Sequence, residues 1–294
     1  MSRLEQSSGT ELLRNPSSKF LEFKNVYGKE EVTIKGKKKE VKVFEECKFV
    51  YAVKEGEEWV QHDVKLPLEF AVINGDWVNF KGWNETEKCK YYSNEVKGPD
   101  DIISLRNKDG VVFEFTLNEM WGRTTGSKVK DEVASKKVKS ILKGYGVKQH
   151  SSIYIGVRSR EDDSFDLMNL QIRGANLSGI KEPEKNVPSG WWNVSRKYKQ
   201  NNLLYTNFMQ INDWTVEDGE LGEYAVLNWT IGDKIDAEDN ERLDLLFDNL
   251  AAYHKYYLNK PKEEEVKTES KTESKPVEKD EPHFAEDIDD DLPF

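Results

Sequence analysis

Three stretches of this chain mix flat rings with fixed positive charge. That pairing suits an unpaired polynucleotide: bases stack on rings and phosphates pair with cations, with no need to read sequence. The first is Trp77-Val-Asn-Phe80-Lys81-Gly-Trp83, followed by Lys88, Lys90, Tyr91 and Tyr92. The second runs from Trp121 to Lys148, where Arg123, Lys128, Lys130, Lys136, Lys137, Lys139, Lys143 and Lys148 oppose only Asp131 and Glu132, a net of +6. Its opening, Trp121-Gly-Arg-Thr-Thr-Gly-Ser-Lys128, reads as a mobile loop whose hydroxyls, amides and cations suit phosphate oxygens. The third is Trp191-Trp192 with Arg196, Lys197, Tyr198 and Lys199 behind it. The candidate stacking rings are therefore Trp77, Phe80, Trp83, Tyr91, Tyr92, Trp121, Trp191 and Trp192. The candidate phosphate contacts are Lys81, Lys90, Arg123, Lys128, Lys130, Lys136, Lys137, Arg196, Lys197 and Lys199. Rings bury well, so part of this set belongs to the core. Adjacent tryptophans on a strand point to opposite faces, so one of Trp191 and Trp192 is expected inside and the other out.

Catalytic chemistry has no comparable support. Gly122-Arg-Thr-Thr-Gly126-Ser127-Lys128 approaches a phosphate-binding P-loop, but the spacing is one residue short and Ser precedes Lys. Glu161, Asp162, Asp163 and Asp166 fall in what reads as a hairpin turn, where exposed acids are ordinary. The four histidines are scattered, with none at a triad or ligand spacing. Cys47 and Cys89 make neither a disulfide framework nor a four-ligand zinc site. The expectation is a protein that is not an enzyme and uses no metal or cofactor.

The elements that would hold the rings and cations are mostly strands. Period-two alternation starts at Phe20. A basic turn at Gly36-Lys37-Lys38-Lys39 separates Val32 and Ile34 from Val41 and Val43. Glu55–Glu58, Asn74-Gly75-Asp76 and Asn107-Lys-Asp-Gly110 read as further turns between strands. From Asp131 to about Tyr145 the apolar positions Ala134, Val138, Ile141, Leu142 and Tyr145 make one helical stripe, stopped by Gly144 and Gly146. Strands resume at Ile153, and another β section runs from Leu203 to Ile231. A last helix starts near Asp236, a residue type suited to cap it, with Leu243, Leu246, Phe247, Leu250, Tyr253 and Tyr257 on one face. Strands, one helix, then more strands is the order of a five-stranded OB barrel, here with extra strands and a C-terminal helix.

Charge divides the chain differently. From Lys260 on there are six Lys against thirteen Asp/Glu, a net of −7 out of the chain's −11, which leaves about −4 for residues 1–259. A nucleic-acid surface on the body must then be a local patch, not a global field. Residues 260–285 are too poor in apolar side chains to order themselves. The last nine residues, 286–294, put five carboxylates before a Leu292-Pro293-Phe294 tip. Such an end suits a basic-rimmed apolar pocket on a partner. The N-terminus shows no apolar signal segment and no stretch is long enough to span a bilayer, so no membrane partner is expected and the chain reads as cytoplasmic. The expected division is a polar arm over 1–18, a binding body over 19–259, a disordered linker over 260–285 and a docking tip over 286–294.

The tip, Asp289-Asp290-Asp291-Leu292-Pro293-Phe294, resembles the C-terminal end of bacterial and phage single-stranded DNA-binding proteins. The resemblance implies an OB-fold body that coats and protects single-stranded DNA in replication, recombination and repair. It also implies that Asp289 to Phe294 recruit the enzymes of those processes. It covers only these six residues closely; Asp287 and Ile288 add looser support. The long body and the Lys/Glu/Ser/Thr-rich linker depart from bacterial members and fit a divergent, phage-encoded version. The other reading is a recombination mediator or decoy that docks on the same host pockets without coating DNA. Oligomeric state is not readable from the sequence.

Overall fold

The computed structural model describes residues 15–17, 19–34, 37–55, 58–123, 131–159, 163–180, 189–219 and 222–259. Residues 1–14 and 18 of the expected N-terminal arm, Lys128 and Lys130, and the expected linker and docking tip lie outside these residues. In chain order the elements are β1 (Lys19–Ile34), β2 (Lys37–Glu55), β3 (Glu58–Val64), β4 (Leu68–Asn84), β5 (Cys89–Ser93), β6 (Ile103–Asn107) and β7 (Gly110–Phe115). There follow α1 (Leu117–Met120), α2 (Glu132–Gly144), β8 (Val147–Arg158), β9 (Phe165–Arg173), α3 (Ala175–Ser178), α4 (Trp191–Gln200), β10 (Asn207–Gly219), β11 (Gly222–Lys234) and α5 (Ala237–Asn259).

The strands form one mixed sheet in the order β3-β2-β1-β9-β8-β4-β5-β6-β7, with the β10–β11 hairpin joined to the start of β4. Every pairing is antiparallel except β1 with β9. The mainly-β expectation holds, but the sheet is open; the strands do not close into a barrel. Long strands are the reason: β4 runs through Asn74-Gly75-Asp76, which the sequence marks as a turn. The extra residues are absorbed as a bulge in its register with β8, and Asp76 takes φ 68°. A strand that continues where a turn was expected extends the sheet sideways instead of folding it back. The basic residues Lys37, Lys38 and Lys39 likewise lie within β2, paired to β1.

Residues directly opposite across a pair share a face, so the register sorts the sheet into two sides. On the front, Phe49, Phe70, Val72, Ile153, Ile155, Leu170 and Ile172 pack with α3, α4 and the β10–β11 hairpin. Further along the same face, Val78, Phe80, Tyr91, Ile103 and Leu105 pack with α1 and α2. On the back, α5 lays Leu243 and Leu250 over Ala71, Ile73, Trp77, Tyr154 and Leu167. Both expected helices form as their sequences dictate. Asp131 caps α2 through Ala134 N–H at 2.9 Å, and Asp236 caps α5 through Asp239 N–H at 2.8 Å. Arg158, at the end of β8, pairs with Asp239 and pins the start of α5 to the sheet.

The tryptophan pair differs from expectation in element but not in outcome. Trp191 and Trp192 open a helix, α4, where neighbours lie about a quarter-turn apart. Trp191 is fully buried beside Trp229, ring centroids 5.4 Å apart, and Trp192 faces out.

Candidate nucleic-acid interface

Four of the eight proposed stacking rings are core. Trp77, Phe80, Tyr91 and Trp191 are all buried: Phe80, Tyr91 and Trp191 face the front core, and Trp77 lies on the back under α5. Phe80 meets Phe115 edge-on, Tyr91 meets Tyr145, and Trp77 meets His254 of α5 with centroids 4.1 Å apart. They are corrected to structural roles. Trp83, Tyr92 and Trp192 are exposed, at 40%, 44% and 38%, and Trp121 is half-buried.

The sheet brings four of the named residues to one place. Lys81 opposes Tyr92 and Trp83 opposes Lys90 across β4 and β5, so all four project from the back. Between Lys81 and Trp83, Gly82 lets β4 close against the start of β8: a Cβ there would fall 2.1 Å from the Gly146 carbonyl oxygen. The same register continues the set in both directions. Tyr92 opposes Arg106 on β6. Lys81 opposes Lys148 on β8, and Asn79 opposes His150, which opposes Arg173 on β9. Glu22 and Lys24 follow on β1, with Lys48 opposite Lys24 on β2. The part of the back that no described helix covers therefore carries Lys24, Lys81, Lys90, Arg106, Lys148 and Arg173 with the rings of Trp83 and Tyr92. Acids collect at its margins: Asp63 pairs with Lys48 at 2.9 Å, and Glu114 takes a bond from Ser104 on the β7 side.

Glu22 is the acid at the centre, in an ion pair with Lys81. Burial alone would raise its carboxyl, but Lys81, Lys24 and Arg173 outweigh burial and hold it below the ordinary carboxylate value. Beneath them His150 is buried. Its burial, then Lys81 and Arg173, push the ring well below its usual range. Its Nδ1 lies 3.0 Å from the Lys148 carbonyl oxygen, which can only accept, so Nδ1 carries a proton in this contact. The Glu22 shift reflects the cations gathered around it on a chain whose net charge is −11.

A polar floor borders this patch toward α5. Glu95 accepts from Tyr154 Oη at 2.6 Å, from Ser152 Oγ, and from the amides of Asn169 at 3.1 Å and Asn79 at 3.4 Å. Four donors on one carboxylate lock β4, β8 and β9 side by side and hold the cationic strands at fixed spacing. Among the described residues no group of His, Cys, Asp and Glu is arranged to hold a metal ion.

The other proposed contacts lie elsewhere. Lys136 and Lys137 are exposed on α2, and Arg123 rests over the Trp121 ring at 5.3 Å, all on the unit that covers the front. Arg196, Lys197 and Lys199 are exposed on α4, also at the front. Lys128 and Lys130 lie outside the described residues. Sequence reasoning missed Lys24, Arg106 and Arg173, and counted Lys148 in a basic stretch without assigning it a contact. A signal for them was present: Lys148, His150, Ser152 and Tyr154 alternate along β8, and Asn169, Gln171 and Arg173 along β9. A period-two polar row in a central strand marks a face that is not packed by apolar cover.

No known protein family, curated protein or solved structure matches this chain. No helix among the described residues is long and apolar enough to cross a membrane.

Proposed function

We propose that the protein binds single-stranded DNA on the open back of its sheet and recruits partner enzymes through its acidic tip. The observation that carries the reading is the juxtaposition of Trp83 and Tyr92 with Lys24, Lys81, Lys90, Arg106, Lys148 and Arg173 on neighbouring strands. Exposed rings beside a cationic surface hold bases by stacking and phosphates by charge, whatever the sequence. Nothing in that patch joins an activated nucleophile to a base, so the reading is a binding surface and not a reaction centre. The tip supplies the second half: five carboxylates before Leu292-Pro293-Phe294 match a basic-rimmed apolar pocket on replication, recombination and repair proteins. The same carboxylates are expected to compete with DNA for the cationic patch, so removal of residues 286–294 should tighten DNA binding in dilute salt.

The direct test is oligo-dT binding by the full chain at two salt concentrations, followed by anisotropy and tryptophan quenching. Binding that weakens steeply with salt supports the reading. Trp83→Ala and Arg106→Ala should each weaken it, while Lys136→Glu with Lys137→Glu on α2 should not. No grip on oligo-dT in dilute buffer would remove the DNA half and leave a mediator or decoy that works through the tip alone. Capture of partner enzymes with and without Phe294 tests the tip independently.

A further inference from the structure

The exposed face of α4 carries the same chemistry as the sheet patch, although it lies on the front. Trp192, Arg196 and Lys199 fall at i, i+4 and i+7, one stripe along the helix, with Lys197 beside it. All four are exposed, while Trp191, Val194 and Tyr198 fill the core on the opposite side. Core packing thus accounts for one side of α4 and says nothing of why the other is a ring followed by three cations. Tyr205, just after α4, is also exposed, at 44%.

The two surfaces meet at an interruption in the sheet. One edge of β4 is paired with β8 along most of its length. Its other edge is paired with β10 at Leu68–Phe70, bridged at Val78 to Val96, and paired with β5 from Lys81. Between those points, across the bulge at Asn74-Gly75-Asp76, no strand covers that edge among the described residues. A cation stands on each side of the opening. Lys97 donates to Asn74 Oδ1 at 3.1 Å and lies over the Trp77 ring at 5.9 Å. Lys199 pairs with Asp76. The bulge and α4 are held together besides: a Cβ on Gly75 would come within 3.2 Å of the Trp191 ring.

We propose that a bound single strand does not end at the sheet patch but passes through the opening at the β4 bulge and continues along α4, with Trp192 as a second stacking platform and Arg196, Lys197 and Lys199 as its phosphate contacts. The inference rests on the DNA-binding reading above. Lys97 and Lys199 flank the opening, and a flexible single strand can pass around an edge where a duplex cannot bend so sharply. Lys199 exchanges Asp76 for phosphate, and at the bulge no strand pairs with that edge of β4 among the described residues.

A length series on the full chain tests this. An oligo-dT of about 10 nucleotides is short enough to be held at the sheet patch alone, and one of about 30 is long enough to reach α4 as well. The double variant Trp192→Ala, Arg196→Glu should bind the short oligonucleotide within about twofold of wild type and the long one roughly tenfold or more weakly, since one lost stacking contact alone is a sizeable loss. Trp83→Ala should weaken both lengths. Both altered side chains on α4 point outward, and a thermal melt checks that the variant is folded; if it is not, Arg196→Glu alone gives the same readout. Equal loss at both lengths, or none at either, overturns the path while leaving the sheet patch intact. Failure of the wild-type chain to bind any length instead removes the DNA-binding reading, and the path with it.

Discussion

The back of the sheet is one surface with two treatments. Under α5 its residues are Ala71, Ile73, Trp77, Tyr154 and Leu167, covered by Leu243 and Leu250. Beyond it the same strands present Asn79, Lys81, Lys148, His150 and Arg173, and no described helix covers them. The same backbone ladder runs beneath both. What changes is the side chain at every second position, and with it the use of the surface: apolar rows become a core, cationic rows stay at the solvent. The boundary is itself built. Glu95 gathers Asn79, Ser152, Tyr154 and Asn169 where the two halves meet, and His254 of α5 sits between the Trp77 and Tyr154 rings at the edge of the covered half.

If the covered half serves stability and the open half serves binding, substitutions should separate the two. The largest effect is expected at Leu250, fully buried under α5. Leu250→Ala should cost about 2–5 kcal/mol of folding free energy, read from urea unfolding, with oligo-dT affinity of the folded protein little changed. A loss of DNA affinity equal to the loss of stability would break the division. Next comes Trp83→Ala in the open half, which should cost about 1–3 kcal/mol of binding to oligo-dT while the urea midpoint barely moves.

The buried histidines sharpen the boundary through pH. Burial first, reinforced at His150 by Lys81 and Arg173, holds both His150 and His254 below the ordinary value of 6.5. Each is protonated in the unfolded chain at a pH where it is still neutral in the fold. Their contribution is therefore complete above the ordinary value and is lost as pH falls below it. Unfolding should become easier on going from about pH 7.5 to about pH 5.5, and His150→Gln should make that slope shallower. An unchanged slope would mean that His150 is not held neutral. Glu22 acts in a lower window: its stabilising charge is present above the ordinary carboxylate value of 4.5 and is lost as pH falls further. The smallest effect is expected at Arg106, exposed on β6. Arg106→Gln should reduce the slope of log affinity against log salt by roughly 0.7 for a single-stranded ligand, with no change in stability.

Much of the secondary structure was legible along the chain. The stripe from Ala134 to Leu142 appears as α2, the stripe from Leu243 to Tyr253 as α5, and Asn107-Lys-Asp-Gly110 as the β6–β7 turn. Closure into a barrel was not, because it depends on which strands pair. Asn74-Gly75-Asp76 carries turn residues, yet its two flanks pair with the same strand, β8, and a bulge costs less than breaking that ladder. The site was half legible for a related reason. Lys81, Trp83, Lys90 and Tyr92 lie close in sequence, so their mixture of rings and cations could be seen. Lys24, Lys148 and Arg173 come from strands remote in sequence and join the others only through the β1–β9–β8–β4 order.

By itself the sequence determined residue chemistry and local period: which segments alternate, which wind, where charge gathers, and that the chain ends in an acidic, aromatic-tipped peptide. Tertiary structure alone decided which rings are available. Trp77 and Trp83 share one strand and one face, yet α5 rests on the first and leaves the second at 40% exposure. Alternation assigns a side chain to a face, but only the packing of distant elements determines whether that face meets a helix or water.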